Sequence, residues 1–274
     1  MSPDWRSLDG TVTDESEKTM PFVLHAVPCL ADNYAYLMHD PASGATAVID
    51  VPEAAPVRQA LAAQGWTLSD ILITHHHDDH IGGVQDLRAA TGARVWGAVA
   101  DAHRLPPLDH ALRDGDSVAI GGETGTVLDV SGHTLGHIAF YFADSKLAFT
   151  ADSLMALGCG RLFEGTPAQM WDSLSKLMNL PEDTVICSGH DYMKGNAAFA
   201  LSVDGENPDL QARIARSSLD RDKGLPMAIA TLALELATNP FLRAVDPRMK
   251  TALGMAQASD VETFAHLRAL KDRF

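Results

Sequence analysis

One stretch constrains this chain more than any other. In Thr74-His75-His76-His77-Asp78-Asp79-His80-Ile81-Gly82-Gly83, four histidines and two aspartates follow directly on the apolar run Ile71-Leu72-Ile73. An apolar run of that length, closed by a polar cluster and a glycine pair, reads as a buried strand that stops at the histidines, and a helix should follow from about Val84 to Ala90. In extended chain, side chains two apart point the same way. His75 and His77 can therefore grip one cation while the next turn swings Asp79 and His80 toward a second. Imidazole nitrogen and carboxylate oxygen are the donors that zinc-like ions take. His76 and Asp78 alternate away from that side and are expected to be exposed.

Four donors on one loop cannot complete two coordination spheres, so others must come from elsewhere. Three candidates stand where strands end: His133 in Gly132-His133-Thr134, after a strand ending at Val130; Asp152 after Leu147 to Thr150; and His190 in Ser188-Gly189-His190, after Thr184 to Cys187. Loops at sheet edges are where sites are usually built. One assignment gives the first ion His75, His77 and His133, the second Asp79, His80 and His190, and makes Asp152 the bridge. A water shared by two such cations is deprotonated near neutral pH, since the pKa of a zinc-bound water falls to about 7. Asp79 and Asp152 are then the carboxylates closest to the chemistry. His137, four residues beyond His133, reads as a residue behind the ligands. His25, His39, His103, His110 and His266 lack ligand-like context.

The remaining pattern predicts the frame around this centre. Short apolar runs at Phe22 to Leu24, Ala35 to Leu37 and Ala47 to Ile49 read as antiparallel strands, followed by a helix from Ala55 to Gln64. Further strands are expected at Ala93 to Trp96, Ser117 to Ile120, Thr126 to Val130 and Ile138 to Phe142. Thr166, Pro167 and Gln169 announce a helix running to about Met178. From residue 191 onward the chain is rich in Ala, Leu, Arg and Glu at helical spacing, with almost no strand signal and breaks at Pro208, Pro226, Pro240 and Pro247. Ser259 and Glu262 form a capping box before the last helix. The expected division is a polar, acidic extension over 1–19, a metal-binding domain over 20–190 and a small helical domain over 191–274. Met20 is a possible second start.

Composition narrows the partners. With 46% hydrophobic and 21% charged residues, this is an ordinary globular composition. The formal charge of -15 argues against nucleic acid and anionic membranes. An anionic small molecule remains compatible, because divalent ions and a few local basic residues can make one pocket positive. Three cysteines, Cys29, Cys159 and Cys187, form no disulfide framework and favour a reducing, cytoplasmic compartment. The first nineteen residues contain neither a signal-peptide core nor a membrane span. A monomer is expected.

The pattern His-x-His-x-Asp-His with the later His133, Asp152 and His190 resembles the metallo-β-lactamase superfamily. Within it, Cys159-Gly160-Arg161-Leu162-Phe163-Glu164-Gly165, Gly189-His190-Asp191-Tyr192, Asn239-Pro240-Phe241-Leu242-Arg243 and Arg268-Ala269-Leu270-Lys271-Asp272 are similar to the hydroxyacylglutathione hydrolases, or glyoxalase II family. The likeness runs from about residue 20 to the end. It implies an α/β (α+β) fold, an αββα sandwich carrying two divalent metal ions, followed by a small C-terminal helical domain that helps bind glutathione. Zinc is the first expectation, with iron or manganese compatible with the same donors.

The implied reaction is hydrolysis of S-D-lactoylglutathione, or a related 2-hydroxyacyl thioester, by a metal-bridging hydroxide, the second step of methylglyoxal detoxification. By the same likeness Arg161 stands where the family has Lys or Arg, Tyr192 contacts the peptide part of glutathione, and Arg268 with Lys271 binds its glycine carboxylate. Arg268 and Lys271 are also three apart on one helix, hence on one face. Phe163 departs from the family, which often has tyrosine there; the missing hydroxyl removes a contact worth about 0.5 to 1.5 kcal/mol. The competing readings are an oxidoreductase like glutathione persulfide dioxygenase, which generally lacks the long helical tail, and a non-catalytic metal-binding protein of the same fold. Flavodiiron proteins usually have Glu where this chain has His77. A β-lactamase would carry an export signal.

Overall fold

The computed structural model describes residues 22–274. The expected extension over 1–19 and the alternative start at Met20 lie outside them. Among the described residues, two six-stranded sheets form the centre. The first runs in chain order as β1 (Val23–Cys29), β2 (Asn33–His39), β3 (Thr46–Ile49), β4 (Asp70–Leu72), β5 (Arg94–Ala98) and β6 (His110–Leu112). The second contains β7 (Ser117–Ile120), β8 (Glu123–Asp129), β9 (Ile138–Phe142) and β10 (Leu147–Ala151). A two-stranded hairpin, β11 (Leu154–Met155) with β12 (Gly158–Cys159), follows, and β13 (Val185–Ser188) and β14 (Ile229–Thr231) complete the second sheet beside β10.

Helices cover both outer faces. On the first sheet lie α1 (Ala54–Gln64), the single-turn α2 (Asp78–Ile81) and α3 (Val84–Thr91). On the second lie α4 (Pro167–Met178) and α5 (Met193–Asp204), with α6 (Pro208–Asp222) packed on α5 and on α7 (Leu232–Thr238), and α8 (Pro247–Ala252) and α9 (Asp260–Arg273) completing the layer.

Alternation along the strands builds three apolar layers, because successive side chains point to opposite faces. Ala47 and Ile49 of β3 face the layer between the sheets while Val48 faces α1 and α3. In β9 and β10, Phe140, Phe142, Leu147 and Phe149 point between the sheets, and Ala139 and Ala148 point outward to Leu174, Phe199 and Phe264. Strands buried on both faces read as continuous apolar runs, which is why β10 is buried at all five positions. The result is the expected αββα sandwich.

Two local readings need correction. The helical segment after residue 190 does contain a strand: β14 pairs antiparallel with β13, Ile186 opposite Ala230. Three residues cannot display a period, so the strand left no signal. The histidine-rich segment, expected to precede any helix, enters α2 at Asp78. The capping boxes at Thr166/Gln169 and Ser259/Glu262 are both formed.

Candidate metal centre and substrate cavity

The seven donor residues arrive from separate elements at one edge of the sandwich. His75 and His77 follow β4 in extended chain, and Asp79 and His80 ride on the turn of α2. Asp152 is aimed by a defect in β10: the pairing with β13 shifts register between Phe149 and Ala151, and Ala151 takes φ of 41°. Bulges of this kind re-aim side chains next to sites. His190 follows β13, where Gly189 is required by space, since a Cβ there would lie 2.5 Å from Asp152 Oδ1 and 2.7 Å from His80 Cε1. His133 is held against Gly160 on the opposite wall.

Around His77 Nδ1, His75 Nε2 lies at 3.1 Å and His133 Nε2 at 3.0 Å. In the second group, His190 Nε2 is 3.3 Å from both His80 Nε2 and Asp79 Oδ2. Asp152 stands between them, Oδ2 at 3.4 Å from His133 and His190, Oδ1 at 3.5 Å from His80.

The outer hydrogen bonds decide what these atoms present to one another. His80 Nδ1 donates to Asp50 at 2.8 Å, His190 Nδ1 to Asp32 at 2.9 Å, and His133 Nδ1 to the Arg161 carbonyl at 2.8 Å. Thr74 Oγ1 gives its hydrogen to Asp50, so it accepts from His75 Nδ1 at 3.0 Å. In its neutral form each of these imidazoles therefore turns an Nε2 lone pair toward the centre. Lone pairs and carboxylate oxygens facing each other at 3.0 to 3.5 Å require positive charge between them, and Asp152 Oδ1 is buried with no hydrogen-bond partner among the described residues. The donor set fits two divalent cations.

The electrostatics agree. Burial alone would discharge His190, but Asp152, Asp79 and Asp32 outweigh it and push its pKa up to about 11. The hydrogen bond from His190, then His80, hold Asp79 well below the usual carboxylate range. Asp152 lies low as well, because His80 and His190 overcome its burial. His75 moves the other way, pushed well down by burial and by the neighbouring imidazoles. One side of the centre thus demands a cation, and the other offers neutral nitrogen.

A cavity of about 560 Å³ opens over this centre. His77, Asp79, His133, Asp152 and His190 form its floor, and Arg161, Phe163, Tyr192, Arg268 and Lys271 all stand on its walls. Phe163 is 65% exposed, its ring 5.7 Å from that of His77 and 5.3 Å from that of His133. Tyr192 stacks on His190 at 4.6 Å. Arg161 is exposed, with Nε 3.9 Å from Asp272. Arg268 is buried, donating to the Cys159 carbonyl at 2.9 Å and to Asp272 at 2.8 Å. Lys271 Nζ donates to the Gly195 carbonyl at 2.9 Å, and burial lowers its pKa. A second cavity of similar volume lies between α6 and β14 with α7. It contains no histidine, and its Arg213 and Arg216 are paired with Glu235 and Asp220, so the chemistry belongs to the first.

Several residues around the site escaped the sequence reading. Asp50 and Asp32 fix ligand orientation, and Asn33 donates to the Asp79 backbone at 3.0 Å and carboxylate at 3.1 Å. Lys194 and Asn196 line the cavity. Asp50 did leave a signal, since it follows an apolar strand just as Asp152 does. His137 stacks on His75 at 4.6 Å and its Nε2 accepts the Asp152 amide at 3.3 Å, with burial lowering its pKa to about 3. His76, expected to be exposed, is only 16% exposed, its Nδ1 donating to Asp101 at 3.2 Å. Asp78 is exposed.

Residues 33–190 match the sequence model of the family described as metallo-beta-lactamase superfamily, and residues 191–274 match that described as hydroxyacylglutathione hydrolase C-terminus. A hydroxyacylglutathione hydrolase of Fuscovulum blasticum is 66% identical over 256 residues, spanning 93% of this chain and 100% of the relative. One from Cereibacter sphaeroides is 62% identical over 255 residues, with the same coverage of 93% and 100%. Among solved structures, that of ETHE1 from Myxococcus xanthus superposes with a TM-score of 0.65 at 27% identity, covering 90% of each chain.

Proposed function

The chain belongs to the hydroxyacylglutathione hydrolase family of the metallo-beta-lactamase superfamily, and we propose from that membership and the geometry above that it cleaves S-D-lactoylglutathione to D-lactate and glutathione, the second step of methylglyoxal detoxification. It is a thioester hydrolase and binds divalent metal. We assign His75, His77 and His133 to one ion, Asp79, His80 and His190 to the other, and Asp152 to both, with zinc the first choice of metal. When bound, such a pair supplies Lewis acidity and an ionised water near neutral pH. The observation that carries this reading is that the imidazoles are tied from behind by Asp50, Asp32, Thr74 and the Arg161 carbonyl, so that their free nitrogens converge on the cavity floor.

The chain's own residues divide the remaining work. Asp79, kept ionised, orients the attacking water. Arg161, Arg268 and Lys271 give an acidic protein a positive wall for the carboxylates of glutathione, and Tyr192 borders its peptide part. Phe163 offers an apolar rim, without the hydroxyl contact of a tyrosine. The leaving thiolate is a weak base, so no strong general acid is needed. Among the described residues no helix is long and apolar enough to cross a membrane. We place the enzyme in the cytoplasm as a monomer.

The test is metal analysis coupled to turnover. Purified protein loaded with zinc, iron or manganese should consume lactoylglutathione, read as loss of thioester absorbance, in proportion to metal content. Oxygen uptake with glutathione persulfide in place of thioester cleavage would favour the dioxygenase reading, and neither activity would leave a metal-binding protein.

A further inference from the structure

Behind the metal centre, charged side chains from separate stretches join in a chain that the hydrolysis above does not use. Asp101, 2% exposed, accepts from His76 Nδ1 at 3.2 Å on one oxygen and from Arg104 on the other, Nη2 at 2.5 Å and Nε at 3.2 Å. Arg104 continues to Glu164, Nη1 to Oε1 at 2.5 Å and Nη2 to Oε2 at 3.2 Å. Glu164 Oε2 also accepts the Leu135 amide at 2.8 Å.

The location of Glu164 gives this chain a consequence. It directly follows Phe163 on a strip, residues 160–165, that forms one wall of the cavity. Backbone bonds lace the strip to the His133 loop: Phe163 N donates to the His133 carbonyl at 3.2 Å and Gly165 N to the Gly132 carbonyl at 3.0 Å. They fix Arg161 and Phe163 relative to His133. The link to the other side, next to His77, runs from Glu164 to His76 by two routes, directly, with Oε1 3.6 Å from His76 Nε2, and through Arg104 and Asp101. Arg104 and Glu164 are 31% and 23% exposed, so as an ion pair they add little stability, but a two-pronged guanidinium-carboxylate contact is geometrically selective.

We propose that Arg104 and Glu164 are positioning residues for the thioester reaction: by clamping the 160–165 strip to the His76 side, they set where Phe163 and Arg161 stand over the centre and so how tightly the thiol part of the substrate is held. This rests on the hydrolase reading for its kinetic consequence, but not for its structural one. Arg104→Gln and, separately, Glu164→Gln, in which Gln can still accept the Leu135 amide, are compared with wild type as full-length, metal-loaded protein. The clamp predicts unchanged metal per chain, amide hydrogen exchange accelerated about tenfold at Leu135 and over 161–165 with exchange in β9 and β10 unchanged, and KM for lactoylglutathione raised about tenfold with kcat within twofold. Arg104→Lys, which keeps charge but loses the fork, should fall between. If Arg104→Gln fails to fold, Glu164→Gln decides alone. Wild-type exchange in both segments, or a loss confined to kcat, overturns the clamp. A wild-type protein inert toward lactoylglutathione instead refutes the hydrolase reading, while the exchange measurement still judges the clamp.

Discussion

Asp152→Asn is the substitution that most directly probes the centre. The side chain touches the three nitrogens of His80, His133 and His190 at 3.4 to 3.5 Å, and so belongs to both donor groups. Asparagine keeps its size while removing the negative charge. The backbone anchors stay, because the Asp152 amide donates to His137 and its carbonyl accepts from Gly160 N without using the carboxylate. A unit charge about 4 Å from another interacts by about 4 kcal/mol at an effective dielectric near 20. Water entering the site and the remaining carboxylate of Asp79 recover part of that, leaving about 2.7 kcal/mol, or roughly a hundredfold, in affinity for at least one ion. The assay is metal per chain after passage through a chelating column, followed by competition with a chromophoric chelator and turnover of lactoylglutathione. Metal content and kcat should fall together, by about a hundredfold in affinity for the weaker ion, with circular dichroism unchanged. Two ions held at wild-type affinity with full turnover would refute the assignment of Asp152 to both groups.

Gly189→Ala should displace Asp152 and His80, whose nearest atoms would lie 2.5 and 2.7 Å from the new methyl; metal content in the purified variant should drop, and a normal stoichiometry would contradict the packing argument. Removing metal should also destabilise the fold. Free ion at a hundredfold over its dissociation constant adds about 2.7 kcal/mol per site, so chelation should lower the calorimetric Tm by about 5 °C or more, and an unchanged Tm would speak against a built site. Asn239 donates to the carbonyls of Met155 and Gly158 at 3.1 and 3.0 Å and accepts from Phe241 N at 3.0 Å. Asn239→Ala orphans these buried groups and should cost about 2 to 4 kcal/mol in urea unfolding, and a loss under 1 kcal/mol would mean that the hairpin of β11 and β12 adjusts freely.

What could be read from the sequence was what is written locally. The capping boxes at Thr166 and Ser259 and the apolar strands Ile138–Phe142 and Leu147–Ala151 carry their structure within a few residues, and the structure forms them there. The seven candidate donors could also be singled out, since each sits at the end of a strand or on the one histidine-rich segment, and the fold brings them to one edge. The partners behind them were not. Asp50 stands 30 residues from His80 and Asp32 158 residues from His190, and neither pair shows any spacing that a chain could display before it folds. Asp32 in particular lies in a turn where aspartate is ordinary for its own local reasons. Yet these remote carboxylates decide which imidazole nitrogen is free. With the proton of His190 moved from Nδ1 to Nε2, the same residue at the same place would turn a hydrogen instead of a lone pair toward Asp152. A ligand set is therefore legible as residue types at strand ends, whereas its ability to take a metal depends on hydrogen bonds that only the packed sandwich creates.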